Sequence, residues 1–281
     1  MVMTRVLVCS DVHLCHFDWH GRSSEDRMDN MIGQINAYGE ARPFEAVLCL
    51  GDCSLDHWKW QVKGSWLAKG LSNTERFVKE YASRLKVPFY MIPGNHEQYG
   101  DALWQKFVGT PRQFSFTLGG YLFVMCDNYA GELDPDYHHD GVYTPTDLAF
   151  VRSALAQNPG LPVILCTHNV DRDKEPAEFY EFLKEERRIT VVLCGHEHRP
   201  YVYEYGEEAG NVCAWYNGHY ADVAGKRDIR DMMWGFTDMV LTDEGVEMRY
   251  VEPENDIEIN GEPYHQAYRE QNIRFFQRRD L

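Results

Sequence analysis

Five short apolar runs constrain this chain most, because each ends on residues that can bind a metal. The runs read VLVCS, AVLCLG, FYMIPG, VILCT and TVVLCG. Short runs rich in β-branched residues and closed by Gly, Pro or polar residues are typical of fully buried strands in a parallel or mixed sheet. Open α/β sheets collect their chemistry at the carboxyl ends of such strands. We therefore expect one rim to hold the residues that follow the runs, which are Asp11, His13, Asp52, Asn95, His96, His168, His196 and His198.

The chemical types in this set favour particular metals. Imidazole and carboxylate groups with one amide and no thiolate suit Mn, Fe or Zn better than Ca or a structural thiolate zinc site. Two aspartates neutralise only part of the charge of two divalent ions, so the pocket stays positive and attracts an anion such as phosphate. Paired ions about 3.5–4 Å apart lower the pKa of a shared water to about 7 and supply hydroxide. We predict two divalent or trivalent ions, Mn, Fe or Zn, and a small anionic phosphate ester as substrate.

The same blocks match a known family in order and spacing. They resemble the signature of the calcineurin-like metallophosphoesterases over about residues 5–200. The matching blocks are Asp11-Val-His13, Gly51-Asp52, Gly94-Asn95-His96-Glu97, a later lone His168, and Gly195-His196-Glu197-His198.

The resemblance implies a role for each position. One metal ion would be held by Asp11, His13 and His198, and the other by Asn95, His168 and His196. Asp52 would bridge the two ions, and a bridging hydroxide would attack the phosphorus. His96 would act as the general acid that protonates the leaving oxygen, so His96 and Asp52 form the catalytic pair. Glu97 is expected to orient its neighbours rather than to bind metal.

Each of these residues also has an ordinary structural reading. His168, taken alone, is typical of a hydrogen-bonded core or loop histidine. Asp52 after a glycine fits an Asx turn or a helix N-cap. Asn95 after Pro93-Gly94 fits plain turn chemistry. None of these readings explains why all five strand ends carry such a residue, so we favour the metal site.

The remaining patterns predict an α/β fold. Helical spacing covers 23–38, 72–85 and 146–157, and 113–126 reads as a hairpin with its turn at Gly119-Gly120. Strands are predicted at 200–205, 211–216, 235–242 and 245–251. The family fold, a four-layer αββα arrangement of two mixed sheets packed face to face with helices outside, accommodates both halves.

Length and composition fit one enzyme domain. We assign residues 1–252 to a metallophosphoesterase domain and 253–281 to a polar C-terminal extension, with a helix over 263–279 that packs on the domain or on a second subunit of a homodimer. No apolar stretch approaches the ~20 residues that span a bilayer. The eight cysteines read as buried reduced thiols, so we expect a cytoplasmic protein without membrane contact. A net charge of −16 also disfavours nucleic acid.

Substrate recognition is assigned to loops around the metals. We predict contacts from the rim residues His16, His20, Asp56, Asn128 and His219. The chain lacks the arginines that protein Ser/Thr phosphatases carry beside their Gly-Asp and Gly-Asn-His-Glu blocks. We therefore expect hydrolysis of a small phosphodiester or pyrophosphate, nucleotide-like in kind. Two alternatives stay open: a nuclease of the same superfamily, and a non-catalytic metal-binding scaffold.

Overall fold

The fold is seen in a computed structural model that describes residues 3–15, 18, 21–56, 72–129, 141–218 and 235–280. Helix α1 is Ser24–Ala41, and Ser23 caps it by accepting a hydrogen bond from the Asp26 backbone N–H. Helix α2, Asn73–Arg76, continues through a π-helical turn and a 3₁₀ turn. The other helices are α3 (Asp101–Val108), α4 (Leu148–Gln157) and α5 (Ala177–Glu185).

Two mixed sheets form the centre of the described structure. Their strands are β1 (Thr4–Cys9), β2 (Ala46–Cys49), β3 (Phe89–Met91), β4 (Phe114–Leu118), β5 (Tyr121–Met125), β6 (Val163–Cys166), β7 (Ile189–Cys194), β8 (Tyr201–Glu204), β9 (Cys213–Tyr216), β10 (Phe236–Leu241), β11 (Gly245–Glu252) and β14 (Arg269–Gln277). The first sheet has the order β14-β11-β10-β1-β2-β3, and the second has β4-β5-β6-β7-β9-β8. A separate hairpin pairs β12 (Asn255–Ile259) with β13 (Glu262–Gln266).

Alternating side chains divide the core into three layers of apolar contact. Val6, Val8 and Trp215 belong to the cluster between the two sheets. The other face of the first sheet packs on α1, α2 and α3 through residues such as Leu7 and Ile32. The other face of the second sheet packs on α4 and α5. The expected α/β fold, two mixed sheets face to face with helices outside, is thus confirmed.

The parallel strands aim their carboxyl ends at one region. Strands β1, β2 and β3 run parallel in the first sheet, and β5, β6, β7 and β9 run parallel in the second. Five of these strands are followed closely by the metal-binding candidates, so the site lies across the edge where both sheets end. Among the described residues, no helix is both long and apolar enough to cross a bilayer.

The helix predicted over 263–279 is wrong. The segment forms β13 and β14, and β14 pairs antiparallel with β11 in the first sheet. Asn260 and Gly261 have φ angles of 51° and 82°, which is the Asn-Gly turn typical of a two-residue hairpin. Strand pairing then overrides the weak helical propensity of the residues that follow.

The other elements agree with the sequence patterns, apart from strand β12 and two helices that the patterns do not indicate. The predicted helices at 23–38, 72–85 and 146–157 and the hairpin at 113–126 all form, with shifts of a few residues at their ends. The two additional helices are α3 and α5, which are only 8 and 9 residues long. Helices this short present about two turns of periodicity, which is too little to stand out in a sequence.

Candidate metal centre

The candidate ligands form one continuous cluster. Ligand atoms of Asp11, His13 and His198 lie within 4.8 Å of one another, and so do those of Asp52, His168 and His196. A third group of the same size, His13, Asp52 and His96, connects them. The two outer groups contain the two ligand sets that the resemblance implies, apart from Asn95. The amide oxygen of Asn95 lies 2.9 Å from His168 Nε2 and 3.0 Å from His196 Nδ1.

The backbone at these positions adopts a conformation that most residues avoid. Eight non-glycine residues with positive φ occur in the described ranges, and three of them are asparagines, which tolerate it. The other five are Asp11, His13, Asp52, His196 and His198, with φ between 52° and 70°. Left-handed backbone at such residues costs about 1–3 kcal/mol each and persists where the surroundings require it. Its concentration here marks a functional site.

Glycines before the ligands allow the loops to approach closely. A Cβ on Gly94 would meet the carboxylate of Asp52 and come within 2.6 Å of the Asp52 backbone N. One on Gly51, whose φ is +92°, would come within 2.8 Å of His168 Nδ1. Only glycine lets the loops after β2, β3 and β6 meet at this distance.

The geometry around His168 calls for a positive charge. Its Nδ1 lies 2.6 Å from the carbonyl oxygen of Leu50, so this nitrogen carries the hydrogen. The opposite Nε2 faces the Asn95 oxygen at 2.9 Å and Asp52 Oδ2 at 3.1 Å. A neutral ring in this tautomer would point a lone pair at two oxygen acceptors, which is repulsive. Either a proton or a metal ion must lie between them, so these residues fit a bound cation.

The titration behaviour of the cluster agrees with that conclusion. Burial opposes a charge on His168, yet Asp52 and then Asp11 outweigh it and raise the His168 pKa to about 9. Burial also opposes ionisation of Asp52, but His168, His96 and His13 hold its pKa well below the usual range. His13 is different, because burial lowers its pKa to about 4 and leaves the ring neutral. Neutral imidazoles and ionised carboxylates are the forms that bind metals.

Glu97 joins two of the ligand loops. Its Oε2 accepts hydrogen bonds from the backbone N–H groups of Asp52 at 2.7 Å and Gly94 at 2.8 Å, and its Oε1 accepts one from Ser54 at 2.9 Å. The side chain is fully buried. Burial and the charge of Asp52 raise the Glu97 pKa to about 7, against the backbone bonds that favour the carboxylate. Glu97 therefore sets the distance between the loops that carry Asp52 and Asn95.

A polar network beneath Asp11 is a feature that the sequence patterns do not indicate. Asn217 follows β9 and donates from Nδ2 to Ser10 Oγ at 3.0 Å, while Thr237 Oγ1 donates to Asn217 Oδ1 at 2.7 Å. The Asn217 backbone N–H binds the carbonyl of Cys194, two residues before His196. The network ties the two sheets together next to Asp11. Its signal is an Asn-Gly pair directly after an apolar run, which is also an ordinary turn pattern.

Of the five residues predicted to contact the substrate, two lie in the described part of the chain. His16, His20 and His219 lie outside the described residues. Asp56 is buried and accepts hydrogen bonds from Ser72 Oγ at 2.9 Å and the Asn73 backbone N–H at 2.8 Å, so its carboxylate holds the start of α2. Asn128 is also buried, and its Nδ2 donates to Thr146 Oγ1 at 3.1 Å. The ring of Tyr129 lies beside a candidate ligand, with its centroid 5.7 Å from that of His168.

Comparison with known proteins settles the family. The sequence model of the calcineurin-like phosphoesterases matches residues 4–200. The chain belongs to the calcineurin-like phosphoesterase family. The match confirms the resemblance seen in the sequence, and with it the prediction that the protein is a phosphoric ester hydrolase. No protein with a curated description matches it in sequence.

Solved structures share the fold of this phosphoesterase at low identity. A dimetal phosphatase from Danio rerio has a TM-score of 0.63 and 10% identity, with 95% of this chain and 99% of that chain covered. The purple acid phosphatase PPD1 from yellow lupin has a TM-score of 0.54 and 12% identity, with 96% of this chain and 53% of that chain covered. The Plasmodium protein GAP50, an anchor in the inner membrane complex, has a TM-score of 0.53 and 12% identity, with 97% of this chain and 89% of that chain covered. At these identities the likeness concerns the fold.

Proposed function

We propose that this phosphoesterase hydrolyses a compact phosphodiester or pyrophosphate at a two-metal centre, with His96 as the general acid. The observation that carries the proposal is the position of the Asp52 carboxylate within the cluster. It belongs to the group with His168 and His196, and also to the group that contains His13 of the other ligand set. A carboxylate between two sets of nitrogen and oxygen donors is what a dinuclear hydrolase requires.

The residues present fit two ions of the Mn, Fe or Zn type. Asp11, His13 and His198 would hold one ion, and Asn95, His168 and His196 the other, with Asp52 common to both. When bound, such a pair supplies Lewis acidity toward the phosphoryl oxygens and hydroxide at neutral pH. The donor set contains carboxylates, an amide and imidazoles, which suits borderline metals better than Ca.

The position of His96 supports the proposed role in proton transfer. Its backbone N–H donates to Asp52 Oδ1 at 2.9 Å, and its ring Nε2 lies 3.8 Å from Asp52 Oδ2. The residue is 9% exposed, whereas Asp52 is 1% and His13 is 0% exposed. A ring that is less buried than Asp52 and His13 can reach the leaving oxygen of a bound ester and donate a proton to it.

The charge of the chain favours a small substrate. The net charge is −16, so a long polyanion meets repulsion from most of the surface. A single phosphate or pyrophosphate group contacts only the local positive centre and avoids that repulsion. Charge therefore favours the small-molecule reaction over a nuclease, and the complete ligand set favours it over a non-catalytic scaffold.

The free thiols support a reducing compartment. All eight cysteines are free, and seven of them are buried. Cys9, Cys49, Cys166 and Cys194 each end a core strand, where they pack as small apolar side chains. We therefore infer that the enzyme resides in the cytoplasm, and cell fractionation with an antibody to the native protein would test that location.

A metal-by-substrate panel tests the proposed reaction. Metal-free protein is loaded with Mn²⁺, Fe²⁺ or Zn²⁺ and assayed on cyclic nucleotides, nucleoside diphosphate esters, an aryl phosphodiester, a phosphopeptide and linear duplex DNA. We expect turnover of one or more of the small diesters or pyrophosphates and none of the phosphopeptide. Robust DNA cleavage whose affinity falls steeply with salt, about −0.9 in log–log slope per phosphate contacted, would favour the nuclease instead.

A further inference from the structure

A basic pocket lies at the end of the molecule opposite the metal centre. It has a volume of about 600 Å³ and is lined by Lys184, Arg187, Gly210, Gln277, Arg278 and Arg279. Arg187 precedes the start of β7, and His196 follows its end. A strand of six residues spans about 20 Å, so the pocket and the metal centre are separate sites.

The pocket carries a positive charge that nearby carboxylates neutralise only in part. Arg278 forms an ion pair with Asp280, whose Oδ2 lies 2.9 Å from Nη2. Within the described part of the chain, Lys184, Arg187 and Arg279 form no ion pair with a carboxylate. None of the six lining residues is acidic, although the chain has 44 acidic and 28 basic residues. Glu186 offsets part of the charge of Arg279, although its carboxylate is already paired with Arg188. Three cations without an ion pair of their own around one cavity are therefore unusual for this surface.

Hydrogen bonds hold the cations close together. Arg279 donates from Nη2 to the carbonyl oxygens of Leu183 at 2.9 Å and Glu186 at 3.2 Å, at the carboxyl end of α5. Arg187 donates from Nε and Nη2 to the Arg279 carbonyl at 2.9 Å and 2.7 Å. Carbonyl partners fix the positions of the guanidinium groups but leave their charge in place. The negative end of α5 offsets only about half a charge.

Two further features show that the like charges are forced together. Burial and the charge of Arg187 lower the pKa of Arg279. Gly210 has a φ of +62°, and a Cβ there would come within 3.1 Å of Lys184 Cα and 3.4 Å of Arg279 Nη1. The absence of a side chain at Gly210 thus allows the Lys184 backbone and the Arg279 guanidinium to lie close together in the lining of the cavity.

We propose that this basic pocket is a second anion site that binds a small phosphate-bearing molecule distinct from the substrate at the metal centre. Guanidinium groups bind phosphate oxygens in pairs, and an ammonium adds a point charge. A bound oxyanion would also relieve the repulsion among the three cations. The occupant is small because the net charge of −16 on the whole chain repels an extended polyanion.

Calorimetric titration of metal-free protein with pyrophosphate tests the site without any turnover. After chelation and dialysis, the wild-type chain should bind about one pyrophosphate at low salt, and more tightly than inorganic phosphate. The double variant Lys184→Gln/Arg187→Gln should lose about tenfold or more of the affinity, because it removes two charge-assisted contacts. Since binding is measured without metal or catalysis, failure here leaves the proposed hydrolase function untouched.

A matched charge control separates the pocket from general electrostatics. The double variant Lys79→Gln/Lys86→Gln removes the same charge from exposed lysines elsewhere and should bind pyrophosphate as the wild type does. Lys184→Gln alone keeps the Arg187 hydrogen bonds, so it preserves the test if the double variant misfolds. No saturable binding by the wild type, unchanged binding in the pocket variants, or an equal loss in the control would each overturn the proposal.

Discussion

Replacing Glu97 by Gln should loosen the metal centre without removing any ligand. The carboxylate accepts three buried backbone N–H groups, from Asp52, Gly94 and Ser54, at 2.7–2.9 Å. A glutamine of the same shape offers one oxygen and one NH₂ group. In either orientation, at least one N–H then faces a donor instead of an acceptor. The loops after β2 and β3 lose part of the connection that sets their separation.

The expected loss of stability follows from the number of hydrogen bonds that the substitution disturbs. One buried N–H without an acceptor costs about 1–3 kcal/mol, and the bonds that remain lose the strength that a charged acceptor adds. Relief of the repulsion between Glu97 and Asp52 offsets part of this loss, as the raised pKa of about 7 indicates. We expect a net destabilisation of roughly 2–4 kcal/mol. In a chain of this size, an unfolding entropy of about 2.1 cal/mol/K per residue converts that loss into a Tm lower by about 3–7 °C.

Two readouts distinguish positioning from simple support of the fold. Differential scanning calorimetry gives Tm, and Mn²⁺ titration of the refolded, metal-free protein gives affinity, which we expect to fall by about 10–100-fold. Glu80→Gln is the control, because that side chain is 55% exposed and far from the ligands, so both quantities should stay near wild type. A Glu97→Gln protein with wild-type Tm and wild-type metal affinity would be inconsistent with a positioning role for Glu97.

Three further predictions concern His96, Gly94 and His168. His96→Asn should keep metal content but lower turnover of alkyl esters by about 10²–10⁴-fold and of p-nitrophenyl esters by much less, and equal losses for both would indicate a positioning role. Gly94→Ala should force Asp52 aside and cost about 1–3 kcal/mol with loss of metal. Gly33→Ala is the control, because a Cβ there meets nothing within 4 Å; it should leave metal binding unchanged and raise stability by about 0.5–1 kcal/mol, since alanine favours the interior of α1, and melting and metal assays measure both variants. The pKa of His168 is raised to about 9, so below that pH Mn²⁺ must displace a proton from its ring. The Mn²⁺ affinity should therefore rise about tenfold per pH unit from about 6.5 to 8.5. An affinity that stays flat across this range in buffered titrations would contradict the prediction.

The candidate metal ligands can be grouped from sequence because each follows a buried strand. Parallel strands end together, so a residue type repeated after five of them indicates a shared location from the sequence alone. The orienting role of Glu97 comes from the family resemblance, and the hydrogen bonds of its carboxylate to the Asp52, Gly94 and Ser54 backbone agree with it. The distances cannot be obtained in this way, because they depend on how closely the glycine-containing loops approach.

The features that sequence does not supply depend on contacts between distant segments. Ser10 and Asn217 meet only because the two sheets pack face to face, which brings together residues 207 positions apart. Asp56 has the position of a rim residue in the sequence, yet its carboxylate accepts a hydrogen bond from the Asn73 backbone N–H at the start of α2. The hairpin of β12 and β13 has a local signal in Asn260-Gly261, and the pairing of β14 with β11 has none of comparable strength.

Metal counting on wild type and Asp52→Asn decides whether the centre is dinuclear and bridged. Metal-free protein is titrated with Mn²⁺, and bound metal per chain is measured by elemental analysis after gel filtration. We expect two ions per wild-type chain and a loss at both positions in Asp52→Asn, because a carboxylate oxygen of Asp52 lies within 4.8 Å of ligand atoms of His168 and His196 in one group and of His13 in another. Two ions retained in Asp52→Asn at wild-type affinity, or a single ion in the wild type, would contradict a dinuclear centre bridged by Asp52.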